Sequence, residues 1–203
     1  MIEDLDLQTA VAEEYMVLAD VLASVDESDW DKPSMCAGWR VREVVAHMTM
    51  PARYDEQAFM LELQARNFDF GRLSNEIAAL DAQLARAELV ANLRSEVLHH
   101  WAPPGGGYHG ALNHVVIHGL DATVPLGVQR RPVDETMRIV LDDLTEDGAN
   151  VHFCTDFTGR RLETTDLDWA YGDGEDLRGA AGDLALLLCG RSIPPERLEG
   201  KPL

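Results

Sequence analysis

Apolar residues recur at three- and four-residue intervals through most of the first 130 positions. Leu7, Val11, Tyr15, Leu18, Val21 and Leu22 share one face of a helix predicted over 5–22, with acidic residues scattered on the other. Positions 25–38 are rich in Ser, Asp, Pro and Gly and predict a loop, after which Val41, Val44, Val45 and Met48 restart the helical period. Pro51, which has no backbone N–H to donate, ends or kinks that second helix. From 52 to 100 the period returns (Leu80, Leu84, Ala87, Val90, Leu93, Val97) and predicts two or three helices broken near 67–71. Pro103, Pro104 and Gly105 to Gly107 form the clearest loop and lead into a helix over 108–126.

Past Pro132 the pattern shortens. A helix over 133–146 is followed by three strand-like segments, VHFCTDF, GRRLET and LDWAY, with turns at Thr158-Gly159 and Gly172 to Gly174. A closing helix is predicted over 177–189. The pattern as a whole predicts a mainly α protein, with a helical bundle over 1–132 and a small α+β domain over 133–203.

The helix over 108–126 differs from the others in charge. Across positions 97–129 the only charged residue is Asp121, where average usage for a chain with 26% charged residues would place roughly eight. Such a helix is buried. Leu112, Val116, Gly119 and Leu120 cover one side and Ile117 with Val124 another, leaving a strip of Ala111, His114, His118 and Asp121.

Composition narrows the function classes. The 203 residues carry 17 basic and 36 acidic side chains, a net charge of −19, so nucleic acid and anionic membrane surfaces would be repelled. The three cysteines, Cys36, Cys154 and Cys189, are widely spaced with no C-x-x-C pair, which suggests neither a disulfide framework nor a cysteine zinc site. That usage, an acidic N-terminus without a signal-peptide pattern, and the lack of an 18-residue apolar run predict a cytoplasmic protein that neither enters nor spans a membrane.

The histidines offer the chemistry. His114 and His118 are four residues apart, so on a helix their Cβ atoms lie about 5–6 Å apart on one face. Both imidazoles can then reach one metal ion at about 2.0–2.1 Å. His47, at the end of the second helix, is the candidate third ligand. Three neutral imidazoles and an open position describe a reactive divalent transition-metal site, whose vacant corner takes water, a thiolate or a substrate oxygen. The competing reading makes each histidine a satisfied core or surface residue. His99 and His100 adjoin the Pro-Gly loop and are assigned to a solvated helix end.

Three segments resemble one family. The string SMCAGWRVREVVAHM at 34–48 is similar to the motif at the start of the second helix in the mycothiol-dependent maleylpyruvate isomerase family, a branch of the DinB-like four-helix bundles. VVIHGLDATVPLG at 115–127 resembles that family's second motif, and DGEDLRGAAGDLALLLCGR at 173–191 the start of its closing helix. The resemblance implies a DinB-like four-helix bundle with a small α+β C-terminal appendage. It implies His47 and His118 as metal ligands with His114 in the third place, zinc or nickel as the metal, mycothiol as co-substrate, and a homodimer.

The resemblance also colours nearby residues. Gly38 and Trp39 match the family's pre-helix turn, where Trp39 is either a pocket wall or an anchor for the loop. Asp121, three residues beyond His118, either orients an imidazole or serves a helix cap, and Glu43, one turn before His47, could act similarly. Arg191 closes the last helix, where it meets a substrate carboxylate or simply favours the helix C-terminus. No base is identifiable beside Cys36.

The function these readings predict is a metal-dependent enzyme that activates a low-molecular-weight thiol. The thiol is transferred to a small electrophilic substrate, or assists a cis–trans isomerisation by reversible addition. A metal-dependent hydrolase, a non-catalytic metal- or thiol-binding sensor, and an interaction module with structural histidines are the alternatives.

Overall fold

The structure, a computed structural model, describes residues 4–128, 130–146 and 156–200. The chain divides into two compact units, Met1–Arg130 and Arg131–Leu203.

The first unit is helical. Helix α1 (Asp4–Ser24) buries Leu7, Val11, Tyr15, Leu18 and Leu22 almost completely, the apolar face that its spacing predicts. It packs against α5 (Arg86–Leu93), α6 (Glu96–His100) and α7 (Gly107–Thr123). Helix α2 (Val41–Met48) packs against α5 and α7 and also meets α4 (Phe70–Asp81). These contacts make a four-helix bundle of α1, α2, the α5–α6 segment and α7. Helix α3 (Glu56–Ala65) buries no residue and lies against α4.

The stretch 52–100 thus holds four helices where the periodicity predicts two or three. The extra ends are local: Asp55 and Asp69 accept hydrogen bonds from the Ala58 and Arg72 amides, and each carboxylate caps a fresh helix. Between α3 and α4, Asn67 and Phe68 adopt left-handed backbone (φ 56° and 60°), which stops α3 at the predicted break.

Both ends of α2 are held. Glu43 accepts the Arg40 amide at 2.8 Å, closing the N-terminus. After Met48 the chain turns through a short 3-10 segment, Met50–Ala52, as Pro51 requires. Arg53 then donates to the Ala46 and Thr49 carbonyls at 2.6 and 3.0 Å and pairs with Asp81 of α4 at 2.8 Å. A cation therefore sits on the C-terminal carbonyls of the helix that carries His47.

Helix α7 is buried along most of its length, as its lack of charge predicts. A Cβ on Gly110 would lie 2.8 Å from the Pro103 ring, and one on Gly119 would lie 2.6 Å from Arg130 Nη1. Glycine at these points lets the Pro-Gly loop and the buried Arg130 side chain approach the helix backbone. Arg130 in turn pairs with Glu14 of α1. Among the described residues no helix is long and apolar enough to cross a membrane.

The second unit contains α8 (Asp134–Thr145), a four-stranded sheet and α9 (Ala181–Leu188). The strands β1 (Arg160–Thr164), β2 (Ala170–Tyr171), β3 (Glu175–Gly179) and β4 (Leu198–Gly200) lie in the order β2-β1-β3-β4. β1 and β3 run parallel with Leu162 opposite Leu177; the outer pairs are antiparallel. Leu162 and Leu177 are fully buried, and α8 packs on α9.

Two expectations change here. GRRLET forms β1 and the end of LDWAY forms β2, while most of VHFCTDF lies outside the described residues. The closing helix begins at Ala181, not at 177, because 175–179 pairs with both β1 and β4. The Asp166 carboxylate accepts the Ala181 amide at 2.8 Å and fixes that start from another part of the chain.

Candidate functional site

Two helices and one loop bring the chemistry together inside the first unit. His47 stands in the last turn of α2, and His114 and His118 stand one turn apart on α7. One nitrogen from each ring lies within 4.8 Å of one from the other two. The ring centroids are 5.3 Å (His47–His114), 5.0 Å (His47–His118) and 4.9 Å (His114–His118) apart.

Each ring has a different environment. His118 Nδ1 lies 3.0 Å from Asp121 Oδ2; an ionised carboxylate only accepts, so Nδ1 carries the proton and Nε2 is the available lone pair. His114 Nδ1 lies 3.4 Å from the hydroxyl of Tyr15 on α1. His47 Nδ1 is buried with no hydrogen-bond partner among the described residues.

Burial also sets their charge. Desolvation, helped by the nearby His118 ring and opposed by Asp121, pushes the His47 pKa down to about 3. Burial, with His118 and His47 beside it, holds His114 well below the usual imidazole value. Both rings are therefore neutral at neutral pH, the form in which imidazole donates a lone pair to a metal. Three converging imidazoles, two of them held neutral by burial, and an orphaned buried nitrogen fit a divalent transition ion.

Asp121 is completely buried and does more than face His118. Its Oδ2 accepts from the Cys36 thiol at 3.0 Å, and its backbone carbonyl accepts the Met35 amide at 3.0 Å. The loop before α2 is thereby docked on α7 through one residue. Cys36 Sγ is 4.0 Å from His118 Nδ1, so Cys36, Asp121 and His118 form a second close group of metal-ligating side chains.

Aromatic rings flank the histidines. The Trp39 ring is 5.1 Å from His47 and the Trp101 ring 5.2 Å from His114. Trp39 Nε1 donates to Asn75 Oδ1 of α4 at 2.8 Å, so this side chain anchors its loop and also borders the cluster. Glu43 directs its carboxylate to Arg40 and caps the start of α2. Arg191 belongs to the second unit, where Nη1 donates to the Cys189 carbonyl at 2.8 Å.

Sequence reasoning missed Tyr15 and Trp101 as neighbours of the cluster. Tyr15 has the spacing of a core residue and stands 99 positions from His114. Only the packing of α1 on α7 joins them.

Residues 11–102 match the family model described as the mycothiol maleylpyruvate isomerase N-terminal domain. The match covers 92 of the 203 residues and lies within the helical unit. Its matched segment contains His47 and ends before α7. Two solved structures are similar over the chain's length: one titled as the mycothiol-dependent maleylpyruvate isomerase, the other as a histidine-to-alanine mutant of it. They are 15% and 14% identical, each with a TM-score of 0.65, covering 98% of this chain and 93% of theirs. At that identity the likeness establishes the fold, a DinB-like bundle with a small C-terminal α+β unit. No curated protein matches the chain in sequence.

Proposed function

We propose that this protein is a mycothiol-linked isomerase whose His47, His114 and His118 hold a divalent transition ion, zinc or nickel. The observation that carries the reading is the convergence of three imidazoles from two helices, with donor nitrogens within 4.8 Å of one another. The family match and the fold likeness support the choice of thiol. A bound ion supplies Lewis acidity at that point, favouring the thiolate of an incoming thiol near neutral pH.

The chain's own groups prepare the site. Asp121 accepts from His118 Nδ1 and so leaves the Nε2 lone pair free for an ion. The Tyr15 hydroxyl oxygen, beside His114 Nδ1, accepts its proton and so leaves the Nε2 lone pair for the ion. Trp39 and Trp101 border the rings. The reaction class is cis–trans isomerisation of a conjugated acid such as maleylpyruvate. The thiol sulfur bonds to one carbon of the double bond, the resulting single bond rotates, and the carbon–sulfur bond breaks to return the thiol. Transfer of the thiol to a second electrophile uses the same first bond.

The test is turnover. Protein purified without a histidine tag and loaded with zinc is mixed with mycothiol and maleylpyruvate, and the isomer is followed optically. Turnover that requires mycothiol and is abolished in His47→Ala supports the reading. Stoichiometric thiol binding without turnover overturns catalysis, and failure of the protein to take up zinc or nickel overturns the site.

A further inference from the structure

Where the loop before α2 docks on α7, three different donors converge at the Nδ1 edge of His118. Cys36 Sγ and His118 Nδ1 each lie 3.0 Å from Asp121 Oδ2, and they are 4.0 Å from one another. Tetrahedral coordination by a thiolate at about 2.3 Å, an imidazole at about 2.0–2.1 Å and a carboxylate at about 2.0–2.2 Å sets donor–donor separations of roughly 3.3–3.7 Å. The observed triangle straddles that range. The loop also holds the sulfur in place: Ser34 Oγ accepts the Cys36 amide at 3.1 Å, the Cys36 carbonyl accepts the Trp39 amide at 3.0 Å, and the Met35 amide bonds the Asp121 carbonyl.

Charge favours a cation at this point. Asp121 is completely buried, and a buried carboxylate is costly unless it is paired or coordinates a metal. Cys36 and His118 meet its Oδ2 with protons, and each proton stands where a metal would. A divalent ion that displaces the thiol proton finds one thiolate, one carboxylate and one neutral imidazole, a set that cancels its charge. Three imidazoles leave the double charge of the same ion uncompensated. Thiolate also favours softer ions than imidazole does. Cys36 is half-buried and the His118 side chain 17% exposed, so solvent reaches the donors.

We propose that Cys36, Asp121 and His118 Nδ1 form a second metal site, for a soft divalent ion such as cadmium, which competes with the three-imidazole site for His118. A neutral imidazole has one lone pair. An ion on Nδ1 moves the ring's proton to Nε2, so that nitrogen no longer serves the histidine cluster, and the thiol proton is released to solvent. Nickel or zinc keeps the three imidazoles, whereas cadmium takes the sulfur and withdraws His118 from the other two rings. The second site requires nothing of the thiol chemistry proposed above.

The test uses cadmium itself. It is titrated against a competing chelator into full-length, metal-free protein, in wild type, Cys36→Ser, His47→Ala and the double variant Cys154→Ser, Cys189→Ser, whose remaining thiol is Cys36. Thiolate-to-cadmium absorption in the ultraviolet reports sulfur binding, the cadmium-113 resonance of the wild-type complex reports the donor set without any substitution, and circular dichroism checks folding. One tight ion per chain, with a sulfur signal that persists in His47→Ala and in the double variant and vanishes in Cys36→Ser, supports the proposal. A wild-type complex without a sulfur signal, a signal that survives in Cys36→Ser, or one lost in His47→Ala overturns it. Two tight ions per chain overturn the competition for His118. If cadmium behaves as expected while His47→Ala leaves zinc affinity unchanged, the thiolate site stands and the three-imidazole reading falls. If zinc needs His47 and cadmium gives no sulfur signal, the three imidazoles stand and the second site falls.

Discussion

Replacing Asp121 by Asn tests how the site is oriented without removing any of the three imidazoles. The carboxylate is fully buried, and its Oδ2 accepts from His118 Nδ1 and from the Cys36 thiol, each at 3.0 Å. An amide oxygen in the same place can still accept from both donors, but it carries no ionic charge, so both charge-assisted bonds become weaker neutral ones. Loss of such a partner to a metal-bound histidine costs about 10–100-fold in metal affinity, or about 1.4–2.8 kcal/mol. The fold is spared the change because the Met35 amide bonds the Asp121 backbone carbonyl, which Asn keeps. Zinc affinity is read by competition with a colorimetric chelator at pH 7.5, with circular dichroism as the control for folding. We expect Asp121→Asn to bind zinc 10–100-fold more weakly than wild type, by the same reasoning. Cys36→Ala, which removes one neutral donor, should lose only about fivefold, a hydrogen bond of ~1 kcal/mol. A folded Asp121→Asn with wild-type zinc affinity would refute the claim that this carboxylate orients His118.

Other substitutions probe the scaffold. Gly119→Ala puts a Cβ 2.6 Å from Arg130 Nη1, whose side chain is buried and tied to Glu14; with little room to yield, the variant should lose about 1–3 kcal/mol, seen as a lower urea midpoint at unchanged m-value. Arg53→Met removes the cation from the Ala46 and Thr49 carbonyls and leaves Asp81, 10% exposed, without its ion pair. A broken buried pair costs about 3–5 kcal/mol, and urea unfolding should show it. Acid should weaken the metal-free protein through the histidines. The His47 pKa is about 3 in the folded protein against about 6.5 for an unfolded chain, so unfolding takes up a proton between those values. Stability from the neutral ring is complete above about pH 6.5 and is lost as pH falls toward 3, at up to about 1.4 kcal/mol per pH unit. His114, also depressed, acts in the same direction. Urea midpoints measured from pH 7.5 to 5 should therefore fall less steeply in His47→Gln than in wild type; equal slopes would contradict the burial argument.

Much of the helical unit was legible in the chain because helical periodicity and burial act over a few residues. The apolar face of α1, the end of α2 at Pro51 and the buried character of α7 each follow from neighbours within two or three turns. The four-residue interval alone puts His114 and His118 on one face. What local spacing could not supply was their distance from His47, or the presence of Tyr15, Trp101 and Cys36 around them. The same limit explains 175–179, where Leu177 carries the spacing of a helix start. Its pairing with Leu162 and Gly200 makes that segment a strand. Backbone preference is a property of short stretches of chain. Contacts between residues tens of positions apart depend on which faces pack together, and the free energy of that packing belongs to the folded whole.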